Sequence, residues 1–390
     1  MNNPLIRLRD NQSSSSSWQR TLIVVWLAEF VSLIGFAMVM PFLPFYVEEL
    51  GVSDPDQIKF WAGLIIGAQA ITMAIFAPIW GSVADRYGRK LMLERAMLGG
   101  SVILGLMAFV QTPQQLLVLR LIQGCITGTV PAATALIASI APRDRKGVAL
   151  GWLQMGVWAG VSVGPLVGGL VADTMGIRIS FIITGACLFV AGLGVVFFVH
   201  EDFKRPEPKP DGVRSHWWDG AATVIRSRDV QLILAARMLT RTATRVIGPV
   251  LPLFVAALLP ESSRVATMAG LVAGASAASS SVGSVVLGRA GDRIGYRRVL
   301  LGSAVAASII YLLQAAVSSI IPLVLLQICV GFALAGSIST LTALLATLTP
   351  TEQTGSVFGV STSVVAGANA IGPMMGASVA VAFGNRSTFV

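Results

Sequence analysis

Five charged side chains sit inside stretches that are otherwise apolar: Glu29, Arg120, Arg237, Arg241 and Arg245. An ionisable group in lipid costs about 2.5–3.5 kcal/mol on insertion scales, so a chain that keeps one turns it toward an interior or a water path. There it can act on a proton, an ion or a solute. Glu29 lies about eight residues into its stretch, roughly 12 Å deep at ~1.5 Å per residue. A carboxyl at that depth is a candidate for exchanging a proton near neutral pH, and it would also suit a cationic molecule. The competing reading is a structural carboxylate held by an arginine or by backbone. Arg120, in Leu117-x-x-Arg120-x-x-Gln123-Gly124, faces the interior or snorkels to the nearby end. Arg237, Arg241 and Arg245 are four apart and so share one helical face. They would partner Glu29 or an anionic group of a substrate, unless Arg237 and Arg241 reach back to the aqueous boundary. Gln123, Gln327, Phe36 and Met40 are further cavity candidates, since aromatic and Met surfaces suit varied apolar ligands when they are not plain packing groups.

Other chemistries lack their residues. No G-x4-G-K-[ST] loop occurs, and no Ser/His/Asp set is apparent. Cys125, Cys187 and Cys329 form no CxxC pair, and His200 and His216 are too few for a histidine metal site. The expectation is a protein that is not an enzyme, with no metal, no cofactor and no ATP drive of its own.

The elements that must position these groups are membrane spans. The chain has 390 residues, 54% hydrophobic and 12% charged, where a soluble chain carries about 25% charged residues. Such a chain cannot cover a water-facing surface, which excludes a cytosolic enzyme and a disordered protein. Its 40 Gly and 18 Pro follow no triplet period and fit membrane helices better than a fibre. Eleven apolar runs are long enough to cross roughly 30 Å of hydrocarbon: about 21–46, 60–84, 91–111, 115–140, 147–171, 179–199, 230–257, 265–287, 299–317, 320–347 and 355–383. They are too long, and lack the alternation, for barrel strands.

The net charge of +9 would suggest nucleic acid in a soluble chain, but the basic residues fall between the runs. Twenty of the 28 Lys and Arg lie on one side, including Arg7, Arg9 and Arg20, the loop with Arg86, Arg89, Lys90 and Arg95, and the long central loop. The positive-inside rule then puts the N-terminus and that loop in the cytoplasm of a cell-membrane protein. Residues 1–20 carry no signal-peptide core and read as a disordered cytoplasmic tail. The expected division is a bundle over 21–199, a linker over 200–229, with Trp217, Trp218 and Asp219 as an interfacial helix, and a second bundle over 230–390.

The chain repeats itself. Pro41 and Pro44 recur 208 residues later as Pro249 and Pro252, and Gly164-Pro165 recurs as Gly372-Pro373. Gly81-x3-Asp85-Arg86-x-Gly88 recurs at an offset of 207 as Gly288-x3-Asp292-Arg293-x-Gly295. Equivalent runs cross in the same direction, so the halves are parallel repeats, a known transporter arrangement. The partner of run 179–199 would cover about 387–407, so a twelfth helix is expected to be missing beyond its first residues.

The loop Gly81-Ser-Val-Ala-Asp85-Arg86-Tyr-Gly88-Arg89-Lys90, with its second copy at Asp292 and Arg293, resembles the major facilitator superfamily. The run Gly151-x8-Gly160-x3-Gly164-Pro165-x2-Gly168-Gly169 looks like the antiporter motif of its drug:proton antiporters, and Gly35-x5-Pro41-x2-Pro44 resembles the twelve-helix exporter branch. The resemblance covers nearly the whole chain. It implies an all-α membrane fold of two pseudo-symmetric six-helix bundles rocking about a midplane cavity. It implies a cytoplasmic latch at Asp85, Arg86, Arg89 and Lys90, proton coupling through Arg120 beside Glu29, and inter-bundle packing shaped by Gly164-Pro165. The partners it implies are lipid, protons and a small organic substrate, for a monomer that exports by proton antiport. A proton-coupled or passive importer of a metabolite is the alternative, and a non-transporting membrane protein a third.

Overall fold

A computed structural model describes residues 4–142, 146–201, 227–260, 264–348 and 354–389, and every element in them is helical. Lipid offers backbone groups no partner, so each run must satisfy its own N–H and C=O groups within a helix. The N-terminal half holds α1 (Pro4–Val39), a 3-10 turn (Met40–Phe42), α2 (Leu43–Glu49), α3 (Pro55–Tyr87), α4 (Arg89–Met107), α5 (Pro113–Ile126), α6 (Thr129–Ile140), α7 (Lys146–Met175) and α8 (Ile177–Phe198). The C-terminal half holds α9 (Arg228–Val246), α10 (Leu251–Ala257), α11 (Val265–Ile294), α12 (Tyr296–Ala315), α13 (Ile320–Leu348), α14 (Thr354–Phe383) and a 3-10 turn (Asn385–Phe389). By length and composition nine of the described helical stretches could cross a membrane. Of the eleven expected runs, α4 and α9 are absent from that set. Arg89, Lys90, Glu94 and Arg95 dilute the first, and the arginine stripe dilutes the second. The linker with Trp217, Trp218 and Asp219 lies outside the described residues.

The repeat appears in the element boundaries. The break before α2 at Met40–Phe42 matches the break before α10, and α2 and α10 start at Leu43 and Leu251, 208 residues apart. The turn after α3 is made by Gly88 at φ 101°, its copy after α11 by Gly295 at φ 95°, a region that costs a Cβ-bearing residue strain. Helices α7 and α14 keep Pro165 and Pro373 inside a continuous helix.

One element runs longer than its apolar stretch, and one expectation is corrected. Helix α1 begins at Pro4 and so takes in residues 4–20 ahead of the apolar run. Elongation of a formed helix costs far less than nucleation, so a polar extension can follow the apolar run. The run 115–140 is not one helix. It breaks at Thr127-Gly128 into α5 and α6, with Gly128 at φ 141°. Pro131 explains the break: its ring would collide with the carbonyl of Thr127, four residues earlier, and it offers no N–H.

The halves lock together at the end away from the basic loops. There one apolar cluster spans both, joining Phe42 to Phe254, Val255, Ala266 and Phe389. At the basic end each half keeps its own cluster: Val25, Leu93, Met97 and Leu136 in one, Val230, Leu234, Leu341 and Leu345 in the other. The locked end is built on glycines. A Cβ at Gly63 would lie 2.7 Å from the Pro373 carbonyl oxygen, and one at Gly67 2.6 Å from that of Ala370. The symmetry mates repeat the contact: Gly270 meets the Pro165 carbonyl, and a Cβ at Gly274 would lie 2.7 Å from that of Ser162.

Candidate functional site

Glu29 projects from α1 and is fully buried. Its Oε2 accepts a hydrogen bond from Thr129 Oγ1 at 3.3 Å, and its Oε1 has no partner. Thr129 opens α6, whose start has no side-chain cap, so the carboxyl lies beside a helix beginning in mid-span. The Pro131 break thus builds the Glu29 site. Thr129 escaped the sequence reading; the available signal was Gly128-Thr-Val-Pro131 within an apolar run.

Arg120 is also buried, on α5. Its Nη1 donates to Gln69 Oε1 at 3.0 Å and to Gln123 Oε1 at 3.3 Å, and approaches Met40 Sδ at 3.9 Å. Its Nε and Nη2 have no partner. The buried setting rules out snorkelling to the end of the span. Gln69 was not foreseen. It comes close because a Cβ at Gly124 would collide with Gln69 backbone and Thr72 Oγ1, so α3 and α5 meet at the glycine. Met40 lies eleven residues beyond Glu29, about 16 Å along a helix. Glu29 and Arg120, expected to act together, therefore occupy separate levels with separate partners.

The arginine stripe lies on α9 among α13 and α14. Arg237, Thr240 and Arg241 line a narrow recess with Ile338 and Leu341, with room for about one water. Arg237 and Arg241 are half-buried, and Arg237 Nη1 has no partner. Arg245 is exposed, with its Nε donating to Asn369 Oδ1 at 2.9 Å and its Cβ set against Gly372. The expected pairing of Arg237 with Glu29 is not made: Glu29 turns into its own half, toward Thr129. The other cavity candidates divide. Phe36 is half-buried and Met40 touches Arg120, while Gln123 and Gln327 are buried. Gln327 Nε2 donates to Gln314 Oε1 at 3.4 Å, so it packs inside its bundle rather than facing a cavity.

The contacts described for Arg89, Lys90 and Asp292 stay within their own halves. Glu201 accepts from the backbone N–H of Arg89 and Lys90 at 3.2 and 2.7 Å, capping α4. Lys90 Nζ also donates to the Val196 carbonyl at 3.0 Å and pairs with Glu94 at 3.3 Å. Arg86 is exposed, Gly81 has no neighbour within 4 Å, and in the second copy Asp292 accepts from Tyr296 Oη while Arg293 is exposed. The side chain of Asp85 lies outside the described residues. Arg95, placed with the loop, is instead in α4 with its guanidinium 3.5 Å from the Trp80 ring centroid.

The glycines of the α7 motif are contact points. Gly160 and Gly164 sit against the Phe30 and Ile34 carbonyls of α1 at 2.7 and 2.6 Å from an added Cβ, and Gly168 against Met38. Gly156, missed in the sequence, extends this row toward Trp26. Gly169 faces Ala266 and Thr267 of α11, across the halves, whereas Gly151 has no neighbour within 4 Å. Two polar contacts add to the locked end. Asp173 accepts from the Ala266 and Thr267 N–H groups at 3.2 and 2.7 Å and from Thr267 Oγ1 at 2.5 Å, so an acid of one half caps a helix of the other. Lys59 Nζ donates to the Ala380 carbonyl at 3.3 Å near the end of α14. Among the described residues no cluster of His, Cys, Asp or Glu could hold a metal ion.

A family model described as Major Facilitator Superfamily matches residues 25–258 and 233–390. The "Multidrug resistance protein MdtG" of Salmonella dublin is 35% identical over 373 residues, covering 96% of this chain and 92% of that one. That of Erwinia billingiae is 37% identical over 377 residues, covering 97% and 91%. Among solved structures, a bacterial homolog of the human lysosomal transporter Spinster, inward-facing and unoccupied, superposes with a TM-score of 0.79 at 16% identity, covering 94% and 83%. The nucleoside transporter NupG gives 0.79 at 14% identity, covering 95% and 94%. At such identities these structures speak to the fold, and they agree with the two repeated helical halves. Family model and relatives extend over nearly the whole chain, and the chain belongs to the Major Facilitator Superfamily.

Proposed function

We propose that this chain is a secondary active transporter that exports small organic molecules of the multidrug type in exchange for protons. The observation that carries the reading is a buried carboxylate, Glu29, held by one hydroxyl, in a chain that matches multidrug resistance proteins over nearly its full length. Glu29 takes up and gives back the proton, and Thr129 ties its state to the broken span. Arg120, anchored by Gln69 and Gln123, is the fixed positive charge of the same half.

The basic end faces the cytoplasm, following the positive-inside rule. The locked glycine end then seals the outside, and transport alternates between this state and one sealed at the basic end. Asp85 with Arg86, Arg89 and Lys90 would act as the latch in that second state.

Proteoliposomes test the reading. With an acidified lumen, drugs from a chemically varied panel should accumulate inside while the lumen loses protons, and Glu29→Gln should abolish that proton movement. Solute moving together with protons would make the chain an importer. No substrate-dependent proton movement with any drug would refute the transporter reading.

A further inference from the structure

A buried charge needs an opposite one, and Arg120 has only neutral partners. It is 1% exposed, and the two amides that hold it, Gln123 and Gln69, are 0% and 6% exposed. Both amides spend their oxygens on the same nitrogen, Nη1, at 3.3 and 3.0 Å. Arg120 Nε and Nη2 and Gln123 Nε2 are left without a partner. All three are donors, so they cannot satisfy one another. Nε and Nη2 form one edge of the guanidinium fork, with paired N–H groups for a single acceptor. Gln123 Nε2 belongs to the amide whose oxygen is already on Arg120, so it stays beside the guanidinium.

Among the described residues the chain holds no acid for this place. Helix α5 contains none. On α3 the acids are Asp56 and Asp85, thirteen and sixteen residues from Gln69, roughly 20 and 24 Å along the helix. Asp56 is already paired with Lys59. Glu29 lies at another level, on Thr129. Met40 offers only a thioether, with Sδ 3.9 Å from Nη1. Water can satisfy a donor, but it leaves the charge unpaired.

We infer that Arg120 and Gln123 hold a chloride ion, bound by Arg120 Nε and Nη2 and by Gln123 Nε2, while Gln69 fixes the guanidinium through Nη1. The burial of all three amide and guanidinium groups selects the ion. It must lie inside the N-terminal half, without an organic body that needs a cavity, and a halide accepts N–H donors from any direction. The ion is a resident counter-charge and not cargo, so the inference goes beyond the proposed exchange and does not depend on it. With Arg120 neutralised in place, the proton on Glu29 becomes the change of charge that this half undergoes.

The test uses the whole chain in phosphatidylcholine nanodiscs, melted across a chloride titration in which gluconate keeps the ionic strength constant. An ion that binds the folded state raises the melting temperature with its concentration. Chloride and bromide should each raise it relative to gluconate. Gln123→Glu sets a permanent carboxylate beside Arg120 in place of the ion. In gluconate this variant should melt at least as high as the unaltered chain does in chloride, and added chloride should no longer shift it. Arg120→Gln removes the charge and should also lose the chloride response; if that variant does not fold, Gln123→Glu decides alone. An unaltered chain whose melting temperature ignores chloride would mean that water fills the site, which overturns the inference. A chloride response that persists in Gln123→Glu would place the ion elsewhere and overturns it as well.

Discussion

The glycines that lock the two halves give the sharpest mechanical prediction. In Gly63→Ala the new Cβ would fall 2.7 Å from both the Pro373 oxygen and the Ala377 Cβ, and in Gly270→Ala it would collide with the Pro165 carbonyl. Carbon pairs pack best at about 3.5–4.0 Å, and these obstacles are largely backbone, which cannot rotate aside. Overpacking of this kind costs about 1–3 kcal/mol. The cost applies only while the halves are locked, so each substitution should move the equilibrium away from this state by roughly 5- to 150-fold, at about 1.4 kcal/mol per tenfold. The two contacts lie on different helix pairs, so their effects should add in the double variant. Nitroxides at Gln111 and Ser318, exposed positions of opposite halves at the locked end, read the change as a shift to longer distances. Gly194→Ala, where no atom lies within 4 Å of the added carbon, is the control and should not shift them. An unchanged distance in the folded double variant would show that these contacts do not set the conformational balance.

Asp173→Ala removes a cap that α11 receives from the other half, worth about 0.5–2 kcal/mol, and the same nitroxide pair should lengthen; Asp173→Asn, which keeps an acceptor, should shift it less. Glu29→Gln should retain exchange of labelled for unlabelled drug across the membrane while losing the accompanying proton, and loss of both would make Glu29 a structural group. Gly128→Ala places a Cβ at φ 141°, a conformation essentially confined to glycine, and should destabilise the protein by about 1–3 kcal/mol, seen as a lower melting temperature. An unchanged melting point there would mean that the α5–α6 break relaxes freely.

What the sequence discloses and what it hides divide along a physical line. Spans were legible because hydrocarbon thickness sets a run length that composition alone must meet. The paired glycine turns at Gly88 and Gly295 were legible because positive φ selects a residue type. The α5–α6 break was hidden, since apolarity counts Pro131 as one more tolerated residue and only the clash with the Thr127 carbonyl shows otherwise. Polar contacts between distant helices, such as Gln69 with Arg120 or Asn369 with Arg245, depend on packing depth and rotation that no run of letters contains. The pairing of Glu29 with Arg237 failed for a deeper reason. Glu29 turns away into its own half, toward Thr129. Equivalent positions of two repeats share a depth, but a two-fold relation brings a position against its own image only close to the axis; elsewhere position i of one copy meets position j of the other, and j meets i. The locked end obeys this rule: Gly63 meets Pro373 while its mate Gly270 meets Pro165, the mate of Pro373. The same offset applied to Gly63 and Gly67 would have found Gly270 and Gly274 in the sequence. Away from the axis a repeat in a transporter is thus better read for crossed pairs than for matched ones, and the matched Glu29 and Arg237 stay apart because Glu29 is held by Thr129 within its own half.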